Sequence, residues 1–328
     1  MLFIDNGETF DPRMNLAIEE YAALHLSMEE SYLLFYINQP SIIIGKNQNT
    51  FEEINSEYVR DHNIYVVRRL SGGGAVYHDF GNLNFSFITK NDGDAFRNFR
   101  RFTEPVIKAL NDLGVPAELT GRNDIQVGEQ KISGNAQFAT KGRMFSHGTL
   151  MFNVQLDNVA KALQVKADKI ASKGIKSVRS RVANISEFLK QPMTIEAFRQ
   201  HLLESIFGGG EIPQYRLQES DWAKIEEISN ERYRNWDWNY GKSPTFDVQK
   251  SHRFPIGSID VRMNVNKGLI TDCKIYGDFF GVGEVDELAQ RFVGKPLRYD
   301  DLQEVIADVD IRPYFGDISH AEFLSLFA

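Results

Sequence analysis

Two periodicities alternate along the chain. Short runs of β-branched, aromatic and aliphatic residues stand at 3–4, 32–37, 41–44, 64–67 and 85–88. Runs of this length bounded by turn residues predict strands. Between them the apolar positions recur at helical spacing. Asp11 followed by Pro12 is a helix start, with a capping carboxylate and a preset first φ, and the helix it opens is expected to reach about residue 26 with Leu16, Ala17, Tyr21 and Leu24 on one side. The clearest helical pattern lies at 96–113, where Phe96, Phe99, Thr103, Val106, Ile107, Leu110 and Leu113 share a face and Gly114 ends it. Further helices are expected at 51–62, 157–163, 184–189, 194–207 and 220–234. The segment 117–155 reads as β-rich, with strands at 124–127, 131–134 and 148–154.

After Trp-Asp-Trp-Asn-Tyr-Gly at 236–241 the pattern changes. Strands at 261–265 and 270–276, joined through Asn266-Lys267-Gly268, read as a hairpin, and helices at 285–292 and 300–309 follow. The fold class expected is α+β: mixed sheets flanked by helices rather than a regular βα alternation. A length of 328 residues exceeds one typical domain. The expected division is 1–240 for a large unit and 245–328 for a small one.

Composition narrows the class. At 42% hydrophobic and 25% charged residues the chain reads as an ordinary globular protein. It has no long apolar run, so no membrane association is expected, and the first residues lack the charged-then-apolar pattern of a secretory signal. The single cysteine, Cys273, excludes an internal disulfide framework or a thiolate metal cluster and fits a reducing cytoplasm. A net charge of −8 argues against nucleic acid as a partner. One stretch departs from this balance: residues 161–181 carry seven basic residues and one acid, Asp168, a local field suited to phosphates or an acidic surface.

The candidate chemistry centres on residues 68–84, Arg-Arg-Leu-Ser-Gly-Gly-Gly-Ala-Val-Tyr-His-Asp-Phe-Gly-Asn-Leu-Asn, read as a turn between two strands. Three glycines permit positive φ and close backbone approach. Bare amides beside Ser71, His78 and two arginines suit a carboxylate or a phosphate, or else a strained hairpin with solvated arginines. Asp124, in Gly-Arg-Asn-Asp at 121–124, could hold a hard cation such as Mg²⁺ or simply close a turn. Lys131, in Lys-Ile-Ser-Gly at 131–134, could aim a charge at a reacting centre or point to water. His147, before Gly148, could be a base, a donor or a structural residue. Lys173, Arg179 and Arg181 stand in a Gly- and Ser-bearing loop that could face phosphates. Zinc spacing, the Gly-x-x-x-x-Gly-Lys phosphate loop and Gly-x-Gly-x-x-Gly are all missing from the sequence.

In this order, RRLSGGGAVYHDFGN, GRNDI, KISG, HGTL and KGIKSVRSRV resemble the lipoate–protein ligases over the whole chain, including a small C-terminal accessory domain. The resemblance implies the α+β catalytic fold shared with biotin–protein ligases. It also implies a two-step reaction: lipoate and MgATP give lipoyl-adenylate, and an acceptor lysine then takes the acyl group. It implies Lys131 as the catalytic charge, and lipoate or adenylate contacts from Arg69, Ser71, Gly72, Gly73, Gly74, His78, Ser133, Gly134 and His147. Nucleotide contacts would come from Tyr77, Asn82, Asn123, Asp124, Lys173, Arg179 and Arg181, with Asp124 also on Mg²⁺. The implied partners are the lipoyl-acceptor domains of 2-oxo-acid dehydrogenase complexes and the glycine-cleavage H protein. Two rivals remain at this stage. One is an octanoyltransferase using a cysteine nucleophile, which only Cys273 could supply, and the other is a lipoate-binding protein without catalysis.

Overall fold

The computed structural model describes residues 1–140, 142–163, 181–240, 248–266 and 268–327. Lys173 and Arg179, and most of the basic loop, lie outside the described residues.

The large unit is built on an eight-stranded sheet. Its strands are β1 (Leu2–Ile4), β2 (Tyr32–Ile37), β6 (Asn82–Lys90), β7 (Glu118–Thr120), β8 (Asp124–Val127), β9 (Gln130–Thr140), β10 (Arg143–Met151) and β11 (Gln214–Tyr215), in the order β11-β1-β2-β6-β10-β9-β8-β7. β1 runs parallel to both its neighbours, and the other pairs are antiparallel. A second sheet, β4-β3-β5, joins β3 (Ser41–Ile44) in parallel to β4 (Tyr65–Arg68) and antiparallel to β5 (Val76–His78).

Alternation along β6 explains how one sheet divides two cores. Leu83, Phe85 and Phe87 project to one face, where Phe102, Val106 and Leu110 of the helix Phe99–Asp112 and Phe198 and Leu202 of the helix Ile195–Phe207 cover them. The opposite face carries Asn82, Asn84 and Ser86, all buried, before Ile88 joins a second core with Leu16, Ala17 and Ile18 of the helix Pro12–Leu24. The capping expected at the start of that helix is present, with Asp11 Oδ1 accepting from Arg13 N at 2.9 Å. A buried polar strip on an otherwise apolar sheet face must be satisfied or used, and this strip becomes the floor of the site.

Several elements differ from the sequence expectation. The helix expected at 51–62 is two short helices, Thr50–Glu53 and Ser56–Asp61, because Ile54 bridges to Leu163 and the Asn55 side chain caps a restart by accepting from Tyr58 N. The helix expected at 220–234 spans Glu219–Ile228 and then widens into a π turn, Ser229–Tyr233. That turn swings Tyr233 inward, where its hydroxyl donates to buried Glu20 at 2.7 Å. The Gly-rich segment is not a hairpin: β4 and β5 flank β3 on opposite sides rather than pairing with each other.

The small unit is a three-stranded sheet, not a hairpin. β12 (Val248–Phe254) pairs with β13 (Gly257–Asn266), which pairs with β14 (Leu269–Gly277). β12 escapes sequence reading because Gln249 to Arg253 are five polar residues on an exposed edge. Ile259, Val261, Met263, Phe279, Phe292, Phe315 and Phe323 form a core of this unit's own residues. A small cluster of Phe99, Ala136 and Phe280 joins it to the large unit. Ion pairs Lys46–Glu284 at 2.8 Å and Arg262–Glu52 at 2.5 Å, and a bond from Gly277 N to Asn47 O at 2.7 Å, cross the same boundary.

Candidate functional site

The polar strip continues across the sheet by register. Tyr36 pairs with Asn84 and Asn84 with Thr149, and the Thr149 hydroxyl accepts from Gly134 N of β9 at 3.1 Å. Residues paired across antiparallel strands share a face, so the strip runs from β2 to β9 as a row. The second sheet lies over it, and a pocket with about 610 Å³ of space, part of it open to solvent, separates the two. Leu16, Ile43, Ala75 and Val76 give it an apolar wall; Arg69, Asn123, Lys131, Gly134 and Thr149 give it polar groups. A mostly apolar pocket with a few convergent polar groups is the usual form of a small-molecule site.

Lys131 and Asp124 face each other at one end, with Nζ 2.8 Å from Oδ1 and both side chains about one-third exposed. A register irregularity between Ile125 and Gln126 shifts β8 against β9 here, so that Asp124 pairs with Gly134 and Gln126 with Lys131. Lys131 folds back over Gly134: a Cβ on Gly134 would stand 2.8 Å from Lys131 Nζ. The glycine is thus the space the ammonium occupies. Gly134→Ala is expected to fold normally, since a flexible chain end can give way, yet to lower the chemical step about tenfold by moving the ammonium. Single-turnover kinetics measure this, and an unchanged rate would mean that Lys131 acts from another position.

The Gly-rich turn is held from behind by a buried chain of bonds. Glu19 accepts from His147 Nδ1 at 2.9 Å; His147 Nε2 meets Ser71 Oγ at 2.7 Å; Ser71 Oγ accepts from Arg69 Nε at 2.9 Å. Arg69 also donates to the carbonyls of Ile43, Gly72 and Gly74. Burial lowers its guanidinium to about 10, still a cation at neutral pH. Arg68, likewise lowered to about 10 by burial, donates to the carbonyls of Gly45, Lys46, Gln48 and Trp238. Neither arginine is solvated: both are buried struts of the turn. Gly73 adopts φ +91, and a Cβ there would lie 2.8 Å from the Phe280 ring, while a Cβ on Gly72 would collide with Phe279 O. The small unit therefore packs directly on the glycines, and Phe280 lines the pocket. The Arg122 guanidinium stacks on that ring at 4.4 Å and bonds to Ile256 O.

Of the residues singled out in the sequence, Arg69, Gly73, Gly74, His78, Asn123, Lys131, Gly134 and His147 come together around the pocket, with Asp124 joined through Lys131. Ser71 and Gly72 stand behind this wall as supports. Ser133 is fully buried and accepts from Asn135 Nδ2; Asn82 is buried and donates to Asn84. Tyr77 lines a different cavity, with Pro40, Phe80 and Phe152, on the far side of β5. Arg181 precedes Val182, whose backbone bridges to Lys131. Sequence reading missed Glu19, Tyr36, Asn84, Asn135, Thr149 and Phe280. The alternation Asn82-Leu83-Asn84-Phe85-Ser86 was the available signal for Asn84, since a polar residue facing a core asks for a partner.

Cys273 lies in the small unit's core with no exposed surface, and burial pushes its thiol up to about 12. A thiolate nucleophile is therefore absent from it. Alkylating reagents at pH 8 are expected to leave the native protein unlabelled and its activity intact. Rapid labelling with loss of activity would return the cysteine-based reading. Among the described residues no three His, Cys, Asp or Glu side chains cluster as a metal site, and no helix is long and apolar enough to cross a membrane. A single carboxylate at Asp124 nonetheless suits Mg²⁺, which commonly takes one or two carboxylates with the rest of its shell from phosphate oxygens and water.

Two family descriptions match the chain: the lipoyl protein ligase A/B catalytic domain over residues 11–207 and the bacterial lipoate protein ligase C-terminus over residues 243–327. The lipoate-protein ligase LplJ of Bacillus subtilis is 64% identical over 99% of both chains. The crystal structure of Plasmodium falciparum LipL1 in complex with lipoate superposes with a TM-score of 0.80 at 25% identity, covering 99% of this chain and 97% of that one. A lipoate-protein ligase A bound with ATP gives a TM-score of 0.62 at 30% identity, over 74% of this chain and 97% of the other.

Proposed function

The chain belongs to the lipoate–protein ligase family, and from that premise we propose how its residues carry out ATP-dependent attachment of lipoate to protein. The observation that carries the reading is the Lys131–Asp124 pair at the mouth of an apolar pocket backed by bare glycine amides. A carboxylate is a poor electrophile, and activation requires two anions to meet. Lys131 Nζ would neutralise the acid's carboxylate and the α-phosphate together. One carboxylate oxygen attacks the α-phosphorus, pyrophosphate leaves, and the acyl-adenylate forms. The acceptor lysine amine then attacks the acyl carbon, AMP departs, and the amine loses its proton.

The remaining assignments support this order. Gly73, Gly74, Asn123, Thr149 and Gly134 all line the pocket; the two glycines would present backbone to one side of the acid and the other three would bound the other. Asp124 would hold Mg²⁺ together with phosphate oxygens, which would spread the charge of the departing pyrophosphate. Residues 1–240 would form the catalytic domain and 245–328 an accessory domain that contributes Phe280. Lysines of lipoyl-acceptor domains in 2-oxo-acid dehydrogenase complexes and of the glycine-cleavage H protein are the expected targets, in a cytoplasmic setting that the lone buried thiol suits. Lipoate-dependent release of pyrophosphate from ATP, followed by AMP release only when an acceptor domain is added, tests the reading. No pyrophosphate from free lipoate would reject it.

A further inference from the structure

His78 has a hydrogen-bonding state that the surrounding side chains dictate. Asn15 Nδ2 donates to the carbonyls of Thr9 and Ile37 and to Asn38 Oδ1, while Asn15 Oδ1 accepts from Asn6 Nδ2. Turning the Asn15 amide over would set its oxygen against two carbonyl oxygens, so its orientation is fixed. Asn38 Oδ1 is thereby occupied as an acceptor, and Asn38 Nδ2 is the atom that faces His78 Nδ1 at 3.0 Å. Nδ1 must accept, and the ring proton must reside on Nε2. Protonating the ring would place N–H against N–H. Burial, with Arg69 and His147 nearby, lowers His78 to about 3, in keeping with a neutral ring.

Among the described residues the Nε2–H so defined has no partner. His78 is 3% exposed and lines the pocket, yet its Nε2 is buried without a hydrogen bond. A buried orphan donor costs free energy unless something else satisfies it. Its place in the pocket says what that is. Asn38 directly follows β2, and Lys131 stands on β9, three strands away in the order β2-β6-β10-β9. Three strand spacings are about 14 Å, so the donor and the ammonium mark opposite ends. Between them the wall is Leu16, Tyr36, Ile43 and Val76. An acyl chain with its carboxylate at Lys131 brings its other end toward His78.

We propose that His78 Nε2–H discriminates among acyl chains by donating to a ring sulfur at the far end, which favours the dithiolane acid over the straight-chain acid of equal length. Asn38 is the positioning residue that holds the proton on Nε2. This rests on the ligase reading above but concerns choice of acid, not the chemistry at Lys131. Octanoate ends in a methyl group and leaves the donor unpaired; a sulfur is a weak acceptor but an acceptor.

The experiment compares binding of lipoate and of octanoate, each alone, by calorimetry, with the imidazole tautomer read from ¹⁵N chemical shifts. The wild type is expected to show the Nε2–H tautomer. His78→Leu is expected to lower the lipoate-to-octanoate affinity ratio about three- to tenfold, the range of one modest hydrogen bond. His78→Gln, whose amide can donate, is expected to retain most of the ratio. In Asn38→Leu the ring remains but the tautomers mix, and the ratio falls part of the way. An unchanged ratio in His78→Leu, an equal loss of both acids, or an Nδ1–H tautomer in the wild type overturns the proposal. Absence of turnover would count against the ligase reading alone, because these ratios require no turnover.

Discussion

Lys131→Ala is expected to lower adenylate formation by a factor on the order of a hundred to a thousand while leaving the protein folded. Its ammonium is one-third exposed, and its partner Asp124 is too. An ion pair of that exposure contributes at most about 1 kcal/mol to stability, and Asp124 can be rehydrated when the lysine is gone. In the reaction the same charge meets two anions brought together in a partly enclosed pocket, where loss of one placed donor costs roughly 3–4 kcal/mol by analogy with oxyanion sites. Lys131→Arg is expected to recover little. The space over Gly134 fits a compact ammonium, with only 2.8 Å between its nitrogen and the place of an added Cβ, and a planar guanidinium needs more. Pyrophosphate release under single-turnover conditions is the measurement. A near-normal rate in Lys131→Ala would remove this residue from the mechanism.

Arg69→Ala acts on the fold and the site together. The Arg69 guanidinium satisfies the carbonyls of Ile43, Gly72 and Gly74 and the Ser71 hydroxyl, and all of these contacts are buried or partly so. Its removal leaves three carbonyls without that donor, and each buried group so stranded costs about 1–3 kcal/mol unless water enters. The buried carboxylate of Glu19, paired with His147, also loses a nearby cation. A loss of about 3 kcal/mol or more in unfolding free energy is expected, with acid binding abolished because the Gly72–Gly74 backbone is no longer held. Urea unfolding and calorimetry measure the two. A variant within about 0.5 kcal/mol of wild type would show that water replaces the guanidinium without cost.

The parts of this fold that sequence conveys are those decided within a few residues. The Asp11 cap, the strands at 32–37 and 41–44, and the amphipathic helix ending before Gly114 all follow from local spacing and turn chemistry. β12 does not, because an exposed edge strand has no apolar face to betray it. The site divides the same way. Lys131, Gly134, Asp124 and His147 stand in short polar runs whose chemistry is visible in place. Glu19 reads as a surface charge on a helix and becomes a buried partner of His147 only through a contact 128 residues apart. Phe280 reads as core of the small unit, and its place on Gly73 depends on how two separately built units meet. Asn6, Asn15 and Asn38 look like turn residues, and their joint effect on His78 is a property of bond direction, which no spacing encodes.

Neighbouring residues of β5 serve opposite cavities: His78 lines the acid pocket and Tyr77 the one behind it. Strand side chains alternate with a period of two, so the link between Ser71 and Val76 has a parity as well as a length. A change in that link that slips β5 by one residue against β3 would turn the imidazole out and a phenol in, with the strands still paired. A change of two would preserve the facing but stretch or slacken the glycines against Phe280. Recombination or loop grafting across 71–76 that slips β5 by one residue should yield proteins that fold and yet have turned His78 out of the acid pocket.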